Sequence, residues 1–154
     1  MKTVIIDNWL ESDLADYVSL YLEENILYQP GHKSNMEDDS CILKGQVPFT
    51  PLIQFLLFKL NKLLKVHLLR VYTNLQYQNM EGRWHSDDGD VTFLYMSSKK
   101  LQSDEGHFEI KGEGKYEYKF NRLIYFDASK PHKGNSPRTN VPRITLAFKT
   151  KHAL

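Results

Sequence analysis

A short stretch that reads as extended chain, Trp84-His85-Ser86-Asp87, carries two side chains able to bind a metal ion. Successive side chains of a strand point to opposite faces, so His85 and Asp87, two positions apart, project from the same face. A distal imidazole, His132, could complete three ligands on one side of a metal. These residue types and this spacing predict a metal centre at His85, Asp87 and His132.

Two histidines and one carboxylate are the ligand set of non-haem Fe(II) oxygenases, which keep the remaining coordination positions open. The three ligands cancel only one charge of Fe(II) and leave three positions for a co-substrate and O2. A His-x-Asp pair also arises by chance in a chain of 154 residues, so its sequence context decides how much it means.

Arg143 opens an apolar strand eleven positions after His132. A guanidinium offers a planar fork that matches a carboxylate, and a buried arginine without a partner is costly, so Arg143 predicts a bound anion. Thr145 lies two positions further on, on the same face, and can add a hydroxyl donor. The competing interpretation is a surface arginine at a strand edge.

The series His-x-Asp, distal His and Arg-x-Thr resembles the Fe(II)/2-oxoglutarate-dependent dioxygenases, and most of all their prolyl 4-hydroxylase-like branch. Three further segments, over roughly residues 66 to 150, carry the resemblance: Val91-Thr92-Phe93-Leu94-Tyr95-Met96-Ser97, Glu105-Gly106-His107-Phe108 and Asn121-Arg122-Leu123-Ile124-Tyr125-Phe126. The chain departs from the family pattern at Ser97, where Asn is common, and at Glu105, which replaces one glycine of a pair.

The resemblance implies an enzyme that couples oxidative decarboxylation of 2-oxoglutarate to hydroxylation of a substrate C–H bond, with peptidyl proline as the expected substrate. Fe(II), 2-oxoglutarate and O2 are the implied cofactors and co-substrates, with ascorbate as an auxiliary reductant. In this reading Arg143 and Thr145 bind the far carboxylate of 2-oxoglutarate, and Tyr95 and Tyr77 are further contacts unless they only pack in the core. Two alternatives stay open: a nucleobase or small-molecule hydroxylase or demethylase, and a jelly-roll module that binds without turnover.

Composition limits the partners. The 154 residues, 41% hydrophobic and 25% charged, fit one globular domain over 1–154, and 20 basic against 19 acidic residues do not favour nucleic acid. The resemblance implies a peptide or protein partner, and the oligomeric state is not indicated. Cys41 is the only cysteine, and no apolar run is long enough for a signal peptide or a membrane span, so a cytoplasmic location is expected.

The pattern of apolar residues predicts a mostly β fold with N-terminal helices, a double-stranded β-helix (jelly roll) barrel. Residues 1–65 are expected to hold a strand at 3–6, a helix capped by Ser12, a polar loop at 29–46 and a helix from Thr50-Pro51 to about Lys65. The loop is either a lid over the substrate or a solvated excursion. The core, residues 66–150, is expected to contain strands near 66–73, 75–80, 83–87, 91–97, 106–111, 115–120, 123–127 and 143–150.

Overall fold

A computed structural model describes residues 1–30 and 42–153. In these described residues, two helices and ten strands follow one another in the order β1 (Val4–Ile6), α1 (Ser12–Glu24), β2 (Tyr28–Pro30), β3 (Leu43–Gln46), α2 (Pro51–Leu63), β4 (Val66–Gln76), β5 (Val91–Met96), β6 (Phe108–Ile110), β7 (Gly114–Tyr116), β8 (Arg122–Asp127), β9 (His132–Gly134) and β10 (Arg143–His152). The chain is therefore mostly β with N-terminal helices, as the sequence predicts.

The strands form two sheets. The larger has the order β1-β8-β5-β10-β4-β3-β2, and the smaller has the order β7-β6-β9. All pairings are antiparallel, and β10 lies at the centre of the larger sheet between β5 and β4. This central position fixes both faces of β10 and so determines which of its side chains can reach the site.

Each face of the larger sheet has its own apolar core. One cluster joins buried residues of α1 and α2, such as Val18 and Leu56, to side chains of the sheet that include Tyr95 and Phe148. The other lies between the two sheets, where Phe108 packs with Phe126 at 5.2 Å between ring centroids. Helices thus cover one face of the sheet, and the smaller sheet covers the other.

The second helix begins as predicted, because Thr50 is its N-cap and accepts a hydrogen bond from the backbone N–H of Ile53 at 3.4 Å, with Pro51 as the first helical residue. It ends at Leu63, close to the expected end. The first helix differs by one residue, since its N-cap is Glu11 and Ser12 is already helical, with no side-chain cap.

Several predicted strands are confirmed with shifted ends, and three expectations need correction. The strands expected at 66–73 and 75–80 are largely one continuous strand, β4, which ends at Gln76. The stretch 83–87 contributes only an isolated bridge at His85, and β9, three residues long, was not predicted. Both ends of the expected 29–46 loop are strand, in β2 and β3. Residues 31–41, on which the prediction of a lid depends, lie outside the described residues.

Within the described residues, no helix combines the length and apolar character needed to cross a membrane.

Candidate metal centre

The two predicted histidine ligands lie on neighbouring backbone segments at the edge of the smaller sheet. His85 and His132 form an isolated antiparallel bridge, in which the N–H of His85 donates to the carbonyl of His132 at 3.1 Å and the reverse bond measures 2.8 Å. Their ring centroids are 4.4 Å apart. Two backbone hydrogen bonds therefore hold both imidazoles in place.

Backbone carbonyls fix the tautomer of each ring. Nδ1 of His85 donates to the carbonyl of Arg83 at 2.9 Å, and Nδ1 of His132 donates to that of Lys130 at 2.8 Å. A carbonyl can only accept, so the proton of each neutral ring sits on Nδ1 and the lone pair of Nε2 is left for a metal. Burial, and then the neighbouring His132, lower the pKa of His85, which favours its neutral, metal-binding form.

Asp87 completes the set. Its backbone N–H donates to the carbonyl of Ala128 at 2.9 Å, and its side chain is only 4% exposed. Ligand atoms of His85, Asp87 and His132 all lie within 4.8 Å of one another, close enough to share one ion. Burial alone would raise the pKa of Asp87, but His132, whose Nε2 lies 3.2 Å from Oδ2, and the charge of Lys149 outweigh burial and lower the pKa below its ordinary range.

Arg143 is buried at the start of β10, with 2% of its surface exposed. Its Nε donates to the carbonyl of Gly106 at 2.7 Å, and its Nη1 donates to Oε1 of Gln76 at 2.8 Å. The guanidinium carbon lies 5.4 Å from the centroid of the Tyr118 ring. Burial lowers the pKa of Arg143 to about 10, so the group stays protonated at neutral pH. The expectation of a surface arginine is thus excluded.

Among the described residues, two buried polar atoms, on residues two positions apart in β10, lack hydrogen-bond partners. They are Nη2 of Arg143 and Oγ1 of Thr145, which are the unpaired buried side-chain atoms of the described residues. Both residues line the same cavity as His85 and His132. A buried donor without an acceptor is costly, so this pair of donors fits a ligand carboxylate.

Two glycines make room for the guanidinium. A Cβ added to Gly134 would lie 2.9 Å from Nη1 and 3.0 Å from Cζ of Arg143. A Cβ on Gly106, whose φ is +63°, would lie 2.8 Å from Cδ of the same side chain. The arginine is therefore seated in a cradle that larger residues would fill.

The strand register explains what faces the cavity. Arg143 pairs with Gln76, Thr145 with Asn74 and with Met96, and Lys149 with Thr92. Paired residues share a face, so alternate residues of β4, β5 and β10 point toward the smaller sheet. The cavity is lined by Ile42, Lys44, Tyr72, Asn74, Gln76, Arg83, His85, Thr92, Leu94, Phe108, Phe126, His132, Gly134, Arg143, Thr145, Ala147 and Lys149.

The structure does not bring the two predicted tyrosines to this cavity. Tyr95 lies on the opposite face of the sheet, where it is fully buried, packs against Trp9 at 5.5 Å and donates its hydroxyl to Oδ1 of Asn121 at 3.3 Å. The expectation for Tyr95 is corrected because its side chain faces the helices. Tyr77 follows the end of β4, is 40% exposed and does not line the cavity. Tyr72 is the tyrosine that lines it.

Two side chains beside the candidate metal ligands were not among the predicted site residues. Lys149 is 2% exposed, and its Nζ forms an ion pair with Oδ2 of Asp87. Thr92 donates to the same oxygen at 2.7 Å. The signal for Lys149 was its spacing, since it lies six positions after Arg143 and so on the same face of the strand.

No protein-family model matches the sequence, and no curated protein does either. Solved structures match over almost the whole chain. A prolyl hydroxylase from Trichoplax adhaerens, in complex with a hypoxia inducible factor oxygen degradation domain peptide, has a TM-score of 0.72 at 16% identity and covers 96% of this chain and 83% of its own. The viral collagen prolyl hydroxylase of Paramecium Bursaria Chlorella virus-1, in its 2-oxoglutarate complex, has a TM-score of 0.73 at 12% identity, with 99% and 97% covered.

A third match is HygX from Streptomyces hygroscopicus, solved with nickel, 2-oxoglutarate and hygromycin B bound, with a TM-score of 0.71 at 10% identity over 99% of this chain and 83% of its own. These likenesses show the fold. The chain shares the jelly-roll fold of these three structures, which confirms the predicted fold class.

Proposed function

We propose that this chain is an Fe(II)- and 2-oxoglutarate-dependent dioxygenase, with residues 1–154 forming one catalytic domain. The observation that carries the proposal concerns Nη2 of Arg143 and Oγ1 of Thr145, in the cavity that also holds the histidines: both atoms are buried, and neither has a hydrogen-bond partner among the described residues. A buried donor without a partner costs free energy, and a bound carboxylate would remove this cost by accepting its hydrogen bond.

The donor set fits ferrous iron. His85 and His132 offer Nε2, Asp87 offers a carboxylate oxygen, and their ligand atoms are within 4.8 Å of one another. With 2-oxoglutarate and O2, bound Fe(II) supplies oxidative decarboxylation to succinate and CO2 coupled to transfer of one oxygen atom into a substrate C–H bond. The chain's own contribution is to hold the ligands in the correct tautomer and to position the reactants.

The cavity also fits the charge of 2-oxoglutarate, a dianion. Its lining includes the cationic side chains Lys44, Arg83, Arg143 and Lys149, of which Lys149 is paired with Asp87. Arg143 binds the far carboxylate through Nη2, with Thr145 as a second donor, while Gln76 and Gly106 keep the guanidinium in one orientation. The fork is thus preorganised for its ligand.

The apolar part of the lining excludes water from the reacting groups. Phe126 packs edge-on against the His132 ring at 4.8 Å, and Phe108 lies 5.6 Å from the same ring. Leu94 and Ala147 extend this surface along the larger sheet. A dry wall beside the metal ligands strengthens the electrostatic interactions inside the site and limits side reactions.

Peptidyl proline is the proposed substrate. The Trichoplax prolyl hydroxylase, which has a similar fold, was solved with a peptide. In this chain, Trp84 immediately precedes the candidate ligand His85, and 46% of its surface is exposed. Nζ of Lys133 lies 5.2 Å from the centroid of the Trp84 ring. Exposed aromatic surfaces are what proline-containing peptides pack on. The competing substrate is a small polar molecule, as in the HygX complex with hygromycin B.

The test is a turnover assay with purified protein, Fe(II), ascorbate, 2-oxoglutarate and O2 against three substrate sets: proline-containing peptides, nucleotides and aminoglycosides. Succinate is measured together with the gain of one oxygen atom by mass spectrometry. We expect oxygenation in the peptide set only. Oxygenation in another set would replace the substrate assignment, and 2-oxoglutarate binding without succinate from any set would favour a module that binds without turnover.

A further inference from the structure

Lys149 is a fully enclosed cation that directly contacts a metal ligand. Its side chain is 2% exposed, on the cavity face of β10. Its Nζ pairs with Oδ2 of Asp87 and lies 3.4 Å from Oγ1 of Thr92 and 5.4 Å from the centroid of the Tyr72 ring. A buried lysine costs free energy unless it is paired, so Asp87 holds it at this position.

The two oxygens of Asp87 have different surroundings. Oδ2 accepts from Lys149 and from Thr92, the latter at 2.7 Å, and lies 3.2 Å from Nε2 of His132. Oδ1 lies 3.7 Å from Nε2 of His85 and accepts no hydrogen bond from the described residues. Lys149 and Thr92 therefore secure one oxygen and leave the other toward His85.

We propose that Lys149 is a positioning residue of the metal centre whose positive charge favours the ferrous over the ferric ion. This inference rests on the proposed function, because it requires iron at His85, Asp87 and His132. A fixed cation beside a ligand repels a trivalent ion more strongly than a divalent one, and the effect is large where both are enclosed. Thr92 donates to the same oxygen but carries no charge.

This contrast between Lys149 and Thr92 separates charge from simple orientation of Asp87. Lys149→Met removes the charge and keeps the length of the side chain, and Lys149→Gln removes the charge while keeping a donor. Thr92→Val keeps the shape and the charge of Lys149 but removes the neutral hydrogen bond. If charge is what acts, the first two variants share an effect that the third lacks.

The experiment is an anaerobic redox titration of the iron-loaded protein, with the ferric form followed by electron paramagnetic resonance. We expect both lysine variants to lose roughly tenfold or more of the ferrous preference, a fall in reduction potential of about 59 mV for one electron, with Thr92→Val close to wild type. Equal potentials in wild type and both lysine variants would overturn the proposal, as would an equal shift in Thr92→Val.

Two controls keep the result interpretable. Circular dichroism establishes which variants fold, and either lysine variant alone is sufficient for the comparison. Titration of the wild type with Mn(II), which binds the same kind of ligand set, tests the metal centre itself. Failure of wild type to bind Mn(II) would overturn the proposed centre and the role of Lys149 with it, whereas Mn(II) binding with unchanged potentials would overturn only the role of Lys149.

Discussion

Arg143 and Thr145 lie two residues apart on one face of β10, and each has a buried polar atom with no hydrogen-bond partner in the part of the chain that the structure describes. Both residues lie in a strand that is paired with β4 and β5 in the larger sheet, so the two atoms are held in regular structure and not in a loop. The relationship defines a place for a carboxylate next to the three candidate metal ligands, and the predictions below follow from it.

Replacement of Arg143 by Met should weaken 2-oxoglutarate binding and leave metal binding intact. Loss of hydrogen bonds to a charged group costs about 1.5–3 kcal/mol, so the KM for 2-oxoglutarate should rise roughly 10- to 100-fold. Succinate formation at varied 2-oxoglutarate gives the KM, and isothermal titration with Mn(II) is the control. An unchanged KM would mean that Arg143 does not bind the co-substrate.

Replacement of Gly134 by Ala should act through Arg143. The added Cβ would lie 2.9 Å from Nη1, so the guanidinium has to move and 2-oxoglutarate affinity should fall roughly tenfold or more. Gly112→Ala is the matched control, because a Cβ there meets nothing within 4 Å although φ is +84°. Both variants should lose thermal stability, and only Gly134→Ala should lose affinity. Equal 2-oxoglutarate affinities of Gly134→Ala and Gly112→Ala would show that the lack of a side chain at Gly134 is not needed to seat Arg143.

Replacement of Tyr95 by Phe tests whether Tyr95 contacts 2-oxoglutarate, as the sequence predicts, or packs on the helix side of the sheet, as in the structure. The hydroxyl of Tyr95 donates to Asn121 at 3.3 Å on the helix side of the sheet, so its loss should cost about 0.5–1.5 kcal/mol of unfolding free energy and leave the KM for 2-oxoglutarate unchanged. Chemical denaturation and steady-state kinetics measure the two effects. A raised KM with unchanged stability would place Tyr95 at the co-substrate after all.

Acid should weaken the ion pair between Glu113 and Lys130, which lies two residues before His132. Hydrogen bonds from Lys130 and then Thr3 lower the pKa of Glu113 from 4.5 to about 2. The lowered pKa means that the Glu113 carboxylate stabilises the fold above about pH 4.5, and that this contribution is lost as the pH falls from 4.5 to 2.

The variant Glu113→Gln should therefore be less stable than wild type at pH 7, by up to about 1 kcal/mol since the pair is partly exposed. The two proteins should converge in stability near pH 2, as measured by urea denaturation across the pH range. A difference that stays constant from pH 7 to pH 2 would show that the charge of Glu113 is not responsible.

Local signals in the sequence were sufficient for the start of α2 and for naming three side chains that the structure brings together. His85 and Asp87 share a face because of their spacing, and Thr50-Pro51 combines a capping hydroxyl with a proline at the first helical position. Tyr95 could not be assigned to a face in the same way. All six residues of β5 are buried, because helices cover one side and the smaller sheet covers the other, so no polar alternation marks the face.

Burial on both faces of the sheet also explains why the partner of Lys149 was not predicted. Residues 143–150 of β10 are all buried, and the sequence does not show that a lysine there meets a carboxylate 62 positions earlier in the chain. Strand β9 was missed because it is three residues long and pairs only through tertiary contacts with β6 and His85. Long-range pairing, rather than local propensity, completes the site.

The central claim is most directly tested by anaerobic titration of the purified protein with Fe(II) and 2-oxoglutarate, followed through the visible charge-transfer band of the chelate. Wild type and His67→Ala, which alters an exposed histidine of β4, should both develop the band, and His132→Ala should not. A wild-type protein that binds iron but develops no band on addition of 2-oxoglutarate would contradict the account.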